Sequence, residues 1–285
     1  MTGTLIAKAT DALGLGQPTS TSSIYNGDWA SVWRVETGKG IFAVKCPAEG
    51  FKHLSQAEAK MLAYLKNRTA VPVPEVVGVE NDLLFLKFIE NDGRKTLEAE
   101  QEAGRHLAEL HSVTSDTFGF ETDTIFGPTI QPNEPGKNWL AFFRRHRLLH
   151  MAVLALDAGK IDAAMMARLE KLMDRLEDYI SPPSSPTLVH GDFWGGNVLY
   201  RDGHCAAFID PAIYYGHPEV DLAFATLFGS FGQPFFDAYK DVHQIEPAFS
   251  ERIGIYNLWP LLFHAYWFGG GYVAQIDGVL RAKGF

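Results

Sequence analysis

His190-Gly191-Asp192-Phe193-Trp194-Gly195-Gly196-Asn197 is the stretch that decides the reading of this chain. An apolar pair, Leu188 and Val189, precedes it, and an apolar run, Val198-Leu199-Tyr200, follows as a predicted strand. A second run, Ala206-Ala207-Phe208-Ile209, ends in Asp210, thirteen residues after Asn197. The pattern is therefore Asp, four residues, Asn, a short hairpin, then Asp. Asp192 is placed as a base that takes the proton of a hydroxyl. The side-chain oxygen of Asn197 and the carboxylate of Asp210 are the donors that suit magnesium. A hard cation prefers oxygen, and one or two protein ligands suffice where phosphates supply the rest.

Singly, each of these residues has a plainer explanation. Asp and Asn are common at turns, where their side chains bond nearby backbone groups. Turn formation alone does not set three polar residues at fixed spacing around two apolar strands. The layout is that of kinase-like phosphotransferases, and it predicts an α+β, protein-kinase-like two-lobed fold. That fold calls for a Lys on the third strand and a Glu on the helix that follows. Ile41-Phe42-Ala43-Val44-Lys45-Cys46 is an apolar strand with Lys45 near its end. Helical spacing begins near Ser55, with Ala57, Met61, Leu62 and Leu65 apolar and Glu58 beside them. Lys45 and Glu58 are the expected ion pair, with Lys45 reaching the α- and β-phosphates of ATP.

The loop over the phosphates, residues 24–33, has Gly27 as its one glycine, so G-x-G-x-x-G is absent. Asn26 and Gly27 suit a tight hairpin because both tolerate positive φ. Phosphate contact by Gly27 and an ordinary turn both stay open. A short helix over residues 5–13 and strands over 22–25, 32–37, 41–46, 76–80 and 83–88 make an antiparallel β-rich N-terminal lobe. Asn81-Asp82 forms a turn within it. The polar stretch 89–94 marks the boundary between a nucleotide-binding lobe, residues 1–89, and a mostly α-helical catalytic and substrate-binding lobe, residues 90–285. Backbone groups of Lys87, Phe88 and Ile89 are expected on the adenine edge. Helices are predicted over 97–111 and 162–180. The Met and Leu stripe of the second is core packing, and residues 116–135 read as loop.

A chain of 285 residues with 46% apolar and 21% charged content is a globular protein of one large domain or two lobes. Its net charge of −9 argues against a nucleic-acid surface, which needs a basic stripe. Two cysteines, Cys46 and Cys205, are too few for a disulfide scaffold and read as buried thiols in a reducing compartment. No basic-then-apolar leader is visible over residues 1–16, and the greasiest segment, 258–268, is about half a membrane span. Composition thus predicts a cytoplasmic protein with no membrane partner.

With these residues in hand, the chain resembles the fructosamine kinase (ketosamine 3-kinase) family, within the aminoglycoside phosphotransferase and choline kinase-like group. Three stretches carry the resemblance: residues 190–197, residues 209–223 with 227–231, and the tail His264-Ala265-Tyr266-Trp267-Phe268-Gly269-Gly270-Gly271-Tyr272. A fainter one covers residues 138–148. The resemblance implies ATP and Mg2+ as cofactors and phosphorylation of the 3-hydroxyl of a ketosamine, whose product is unstable and loses its sugar. That is repair of glycated amines, including glycated protein lysines as possible substrates. The loop of residues 24–30 departs from the family in having fewer glycines. Gly191 stands where protein kinases place an arginine. Only ten residues separate Asp210 from Asp221, too few for a phosphorylated activation loop, so a small-molecule kinase fits better than a regulated protein kinase.

Alternatives on the same scaffold are an aminoglycoside or choline-like phosphotransferase, and a nucleotide-binding pseudokinase. A polycationic aminoglycoside calls for many carboxylates, whereas the expected substrate residues are Trp194, Tyr214, His264 and Trp267, with Tyr272 nearby. Aromatic faces suit sugar C–H edges and a cationic amine, although aromatic residues at this density also build cores. A pseudokinase should lack Lys45, Asp192, Asn197 or Asp210, and all four are present. Sugar, amine and the choice between monomer and dimer are not encoded in these motifs.

Overall fold

The computed structural model describes residues 2–285. Helix α1 (Thr2–Ala12) leads into strands β1 (Pro18–Asn26), β2 (Ala30–Thr37) and β3 (Gly40–Pro47). Helix α2 (His53–Arg68) follows, then β4 (Val76–Glu80) and β5 (Leu83–Lys87). The five strands form one antiparallel sheet in the order β1-β2-β3-β5-β4. Alternation along β3 does the positioning, since neighbouring side chains point to opposite faces. Phe42, Val44 and Cys46 are buried with Ile6 and Ala9 of α1. Lys45 therefore faces the other side, where Leu62 and Leu65 of α2 pack against Leu84 and Leu86. Asn81 and Asp82 join β4 to β5 with φ of 50° and 63°, the left-handed pair that a two-residue hairpin requires.

Helix α3 (Leu97–His111) opens the helical region. The Thr96 hydroxyl caps it by accepting from the Ala99 N–H at 3.1 Å, and Glu98 and Glu100 complement the positive end of the helix. A hairpin of β6 (Thr124–Phe126) and β7 (Thr129–Gln131) lies inside the stretch read as loop. Strands of three residues are too short to display an alternation. Next come α4 (Trp139–Phe143), a π-helical turn over Arg144–Leu149, α5 (His150–Asp157) and α6 (Ala163–Met173). The helix expected to run to residue 180 stops at Met173 and tightens into a 3-10 turn over Leu176–Asp178.

Residues 187–216 form only short strands. Strand β8 (Thr187–Val189) pairs with β11 (Tyr214–Gly216), and between them β9 (Val198–Arg201) and β10 (His204–Phe208) form a hairpin. Helices α7 (Glu219–Thr226), α8 (Gln233–Lys240), α9 (Phe249–Phe268) and α10 (Gly271–Ala282) complete the chain. Helices α3 and α8 approach so closely at Gly104 that a Cβ there would sit 2.3 Å from the Phe235 carbonyl oxygen.

One buried cluster joins Leu62, Leu84 and Leu86 of the sheet region to Leu107, Phe193 and Phe208 below, so the two lobes share apolar packing. A second is built from the aromatic residues of α4 and α9 with α5, α6 and α10. At its edge Arg147 is fully buried without a carboxylate. It donates to the Pro132 carbonyl at 2.8 Å and to Asn133 Oδ1 at 2.7 Å, and lies 3.8 Å from the centre of the Tyr214 ring. Cys46 and Cys205 are free and buried, and burial pushes their thiols up to about 11 and about 12. Among the described residues no helix is long and apolar enough to cross a membrane.

Candidate active site

The turn between β8 and β9 presents Asp192 half-buried. Two backbone features hold it there. Gly191 has φ of +81°, and a Cβ at this position would lie 2.1 Å from the Ala212 carbonyl oxygen. No arginine, nor any other side chain, fits where the chain passes under residues 210–212. Asp221, buried at the start of α7, accepts from the His190 N–H at 2.6 Å and the Gly191 N–H at 2.8 Å. Its Oδ2 also meets His111 Nε2 at 3.1 Å, while His111 Nδ1 meets the Tyr239 hydroxyl at 2.8 Å. Sequence reasoning used Asp221 only as a spacer. The available signal was an acid inside an otherwise apolar helical run, Val220 to Ala225.

Asn197 ends the 3-10 turn Gly195–Asn197 and is buried. Its side-chain N–H donates to the Asp192 backbone carbonyl at 2.8 Å, which commits the amide nitrogen and leaves Oδ1 as the free donor atom. Its backbone carbonyl accepts from the Ile209 N–H at 2.9 Å, tying the turn to the end of β10, where Asp210 emerges. Asp210 has φ of +54°, a left-handed backbone that Asp tolerates better than most non-glycine residues. Its side chain is 45% exposed. Lys45 bonds Glu58 at 2.7 Å and also reaches the Asp210 carboxylate.

The charges are unbalanced in favour of the acids. Burial lowers the Lys45 ammonium pKa, but the Asp210 and Glu58 carboxylates outweigh it and hold the group above its ordinary value. Burial, reinforced by the negative charge of Asp210, pushes the Asp192 carboxyl up to about 8 against the opposing hydrogen bond from Asn197. Among the described residues no three His, Cys, Asp or Glu side chains are placed to hold a metal alone. A neutral amide oxygen, an accessible carboxylate and surplus negative charge nevertheless fit a hard dication that brings phosphate oxygens with it.

Two of the backbone N–H groups expected to face the nucleotide are engaged in the sheet. The Lys87 N–H is taken by the Glu75 carbonyl at 2.9 Å and the Phe88 N–H by the Ile41 carbonyl at 3.1 Å. These two amides continue the sheet and are not free for adenine. The Ile89 N–H makes no such bond among the described residues. Gly27 and Asn26 do not adopt positive φ. Gly27, Asp28 and Trp29 form a wider loop, closed by the Gly27 N–H on the Ala30 carbonyl at 3.0 Å, so that amide too is committed.

Of the expected substrate residues, Trp194 lies over Gly196, where a Cβ would come within 2.2 Å of the indole ring, which explains a glycine at that position. Its edge meets Phe228 with centroids 5.6 Å apart. His264 sits between Phe228 and Tyr272 at 5.5 and 4.9 Å. Trp267 donates to Thr129 Oγ1 at 2.9 Å and packs on Trp29 at 5.4 Å, so it joins the lobes. Tyr214 is a correction: it is fully buried on β11 beneath Arg147 and cannot line a pocket. Its strand is buried on both faces, so no side of it is open to substrate.

The fructosamine kinase family model matches residues 1–283. The chain belongs to that family. It is 33% identical over 258 residues to the chloroplastic protein-ribulosamine 3-kinase of Arabidopsis thaliana, covering 86% of this chain and 78% of that protein. A crystal structure of a candidate fructosamine-3-kinase from Thermobifida fusca superposes with a TM-score of 0.89 at 30% identity, covering 98% of both chains. The aminoglycoside phosphotransferase APH(4)-Ia shares the kinase-like fold, with a TM-score of 0.70 at 16% identity over the full length of both chains. The expected family and two-lobed α+β fold are thereby borne out.

Proposed function

We propose that this fructosamine kinase family member transfers the γ-phosphoryl group of ATP to the 3-hydroxyl of a ketosamine. The observation that carries the proposal is the meeting of Asp192, Asn197 and Asp210 with the Lys45–Glu58 pair at one end of the cleft. Residues 1–89 hold the nucleotide and residues 90–285 the acceptor. The names of the more identical relatives, at 33% and 30%, favour a ketosamine over the antibiotic of the 16% neighbour.

Asp192 takes the hydroxyl proton as the sugar oxygen bonds to the γ-phosphorus and the bond from that phosphorus to the β–γ bridging oxygen breaks, releasing ADP. Lys45 holds the α- and β-phosphates, and Glu58 holds Lys45. Asn197 Oδ1 and Asp210 are the residues that would hold magnesium, which when bound neutralises charge on the phosphates. Most of the rate arises from alignment, because little covalent chemistry falls to the protein. Trp194, two residues from the base, would lie beside a hydroxyl that Asp192 reaches. Loss of sugar from the 3-phosphorylated product would make the reaction a repair of glycated amines.

The test is ADP release over a panel of fructosamines, ribulosamines, aminoglycosides and choline. A ketosamine should have the highest kcat/KM. Faster release with an aminoglycoside or choline than with every ketosamine would remove the substrate assignment and leave the phosphotransferase.

A further inference from the structure

Phe228 is an aromatic residue that the core does not need. It is 49% exposed, and its φ of 62° is a left-handed backbone that a phenylalanine adopts at a cost. Only one face of the ring rests on the core, against Phe224 at 6.5 Å, and its exposed half is not explained by that packing. It is one member of a continuous line of rings. Trp194 meets it at 5.6 Å and His264 at 5.5 Å. His264 meets Phe268 at 5.8 Å, and Phe268 meets Trp29 at 5.7 Å. The line begins two residues after the base and ends on the loop of the N-terminal lobe. Phe268 is itself 50% exposed.

We infer that this arc is the subsite for the amine side of the substrate, and that it selects ketosamines whose nitrogen carries an apolar, preferably aromatic, group. The inference rests on the ketosamine reading and adds the class of amine. Its occupant is argued from continuity: Trp194 stands two residues after the carboxylate proposed to activate the hydroxyl, so a group lying along the rings is read as part of the same bound molecule. The arc carries no formal charge. Burial lowers the His264 imidazole pKa, offset in part by its bond to the Pro260 carbonyl, so the ring is neutral near pH 7. Exposed apolar surface of this kind gains by covering another apolar group, and ring edges and faces favour an aromatic one. A polyhydroxylated amine would cover less of that apolar surface than an aromatic one.

A matched pair of substrates tests the inference: the fructose adducts of benzylamine and of ethanolamine, compared by kcat/KM from ADP release. The expected result is a preference for the benzylamine adduct of about tenfold or more. Phe228→Gly should bring the ratio down several-fold, and Trp29→Ala should act in the same direction. Glycine relieves the left-handed backbone, so Phe228→Gly should keep a Tm at or above that of the unaltered protein, which separates lost selectivity from lost folding. Equal kcat/KM for the two adducts in the unaltered protein, or an unchanged ratio in Phe228→Gly, would overturn the subsite. Failure of both adducts to release ADP would instead bring down the ketosamine reading and, with it, the inference.

Discussion

Lys45 and Arg147 are both cations withdrawn from water, and their surroundings differ in kind. Lys45 stands between Glu58 and Asp210, two acids for one base. Arg147 has no acid in contact and is held by three oxygen acceptors and the face of Tyr214. Around Arg147 every neighbour is a fixed part of the core, and only its Nε is left without a partner. Around Lys45 the negative charge is in surplus, and one of the acids, Asp210, is open to solvent. A closed set of partners marks scaffold, whereas an unbalanced and accessible set marks a place where a further charged group is accommodated.

That contrast can be broken experimentally. Asp192→Asn should lower turnover by about 10²–10⁴-fold while leaving ATP affinity nearly unchanged, because a base acts in the transition state. Retention of a tenth of the original turnover, with chemistry rate-limiting, would exclude Asp192 as the base. Asp210→Ala should abolish magnesium-dependent turnover, and Asn197→Ala should raise the magnesium concentration required. An unchanged midpoint and rate in both variants would remove them from the metal site.

On the scaffold side, Arg147→Met should cost about 2–5 kcal/mol of stability through unpaired carbonyls and poorer packing, read as a fall in denaturation midpoint. Lys45→Met should instead lose turnover with a smaller change in that midpoint. Equal loss of stability in the two variants would erase the distinction. Trp194→Ala should cost roughly 1–3 kcal/mol of transition-state binding, about five- to two-hundred-fold in kcat/KM for a ketosamine, without weakening ATP.

The smallest effect concerns pH. Asp192 is raised in the folded protein to about 8, above the ordinary carboxylate value of about 4. Its contribution to stability without nucleotide is therefore complete below about pH 4 and is lost as pH rises towards 8. Asp192→Asn should flatten that part of the stability profile, and an unaltered slope would show that the carboxyl is not held protonated.

Much of the site was legible because it is local. Asp192, Asn197 and Asp210 lie on one hairpin, so spacing along the chain becomes spacing in space, and alternation in β3 turns Lys45 towards α2. The fold followed from the same features, since the expected strands and long helices had clear periodicity. What was illegible depends on tertiary placement. Tyr214 has the composition of a pocket residue but belongs to a strand covered on both faces. Trp29 and Phe228 gain their importance from rings that are distant in sequence, and the backbone angle of Phe228 has no sequence signature. Asp221 acts on the turn that carries Asp192 through the His190 and Gly191 N–H groups, which leave no mark in side-chain motifs. Lys87 and Phe88 fall at the expected strand end, yet their amides are consumed by pairing, which a one-dimensional pattern does not record.

The two buried cysteines have a practical consequence. With thiols held protonated and covered, the natural chain is nearly silent to maleimide dyes at neutral pH. A single Tyr25→Cys exchange, at a side chain 61% exposed beside the glycine-poor loop, would give one dominant labelling position without removing either natural cysteine. A fluorophore there would report how far the N-terminal loop travels during a catalytic cycle.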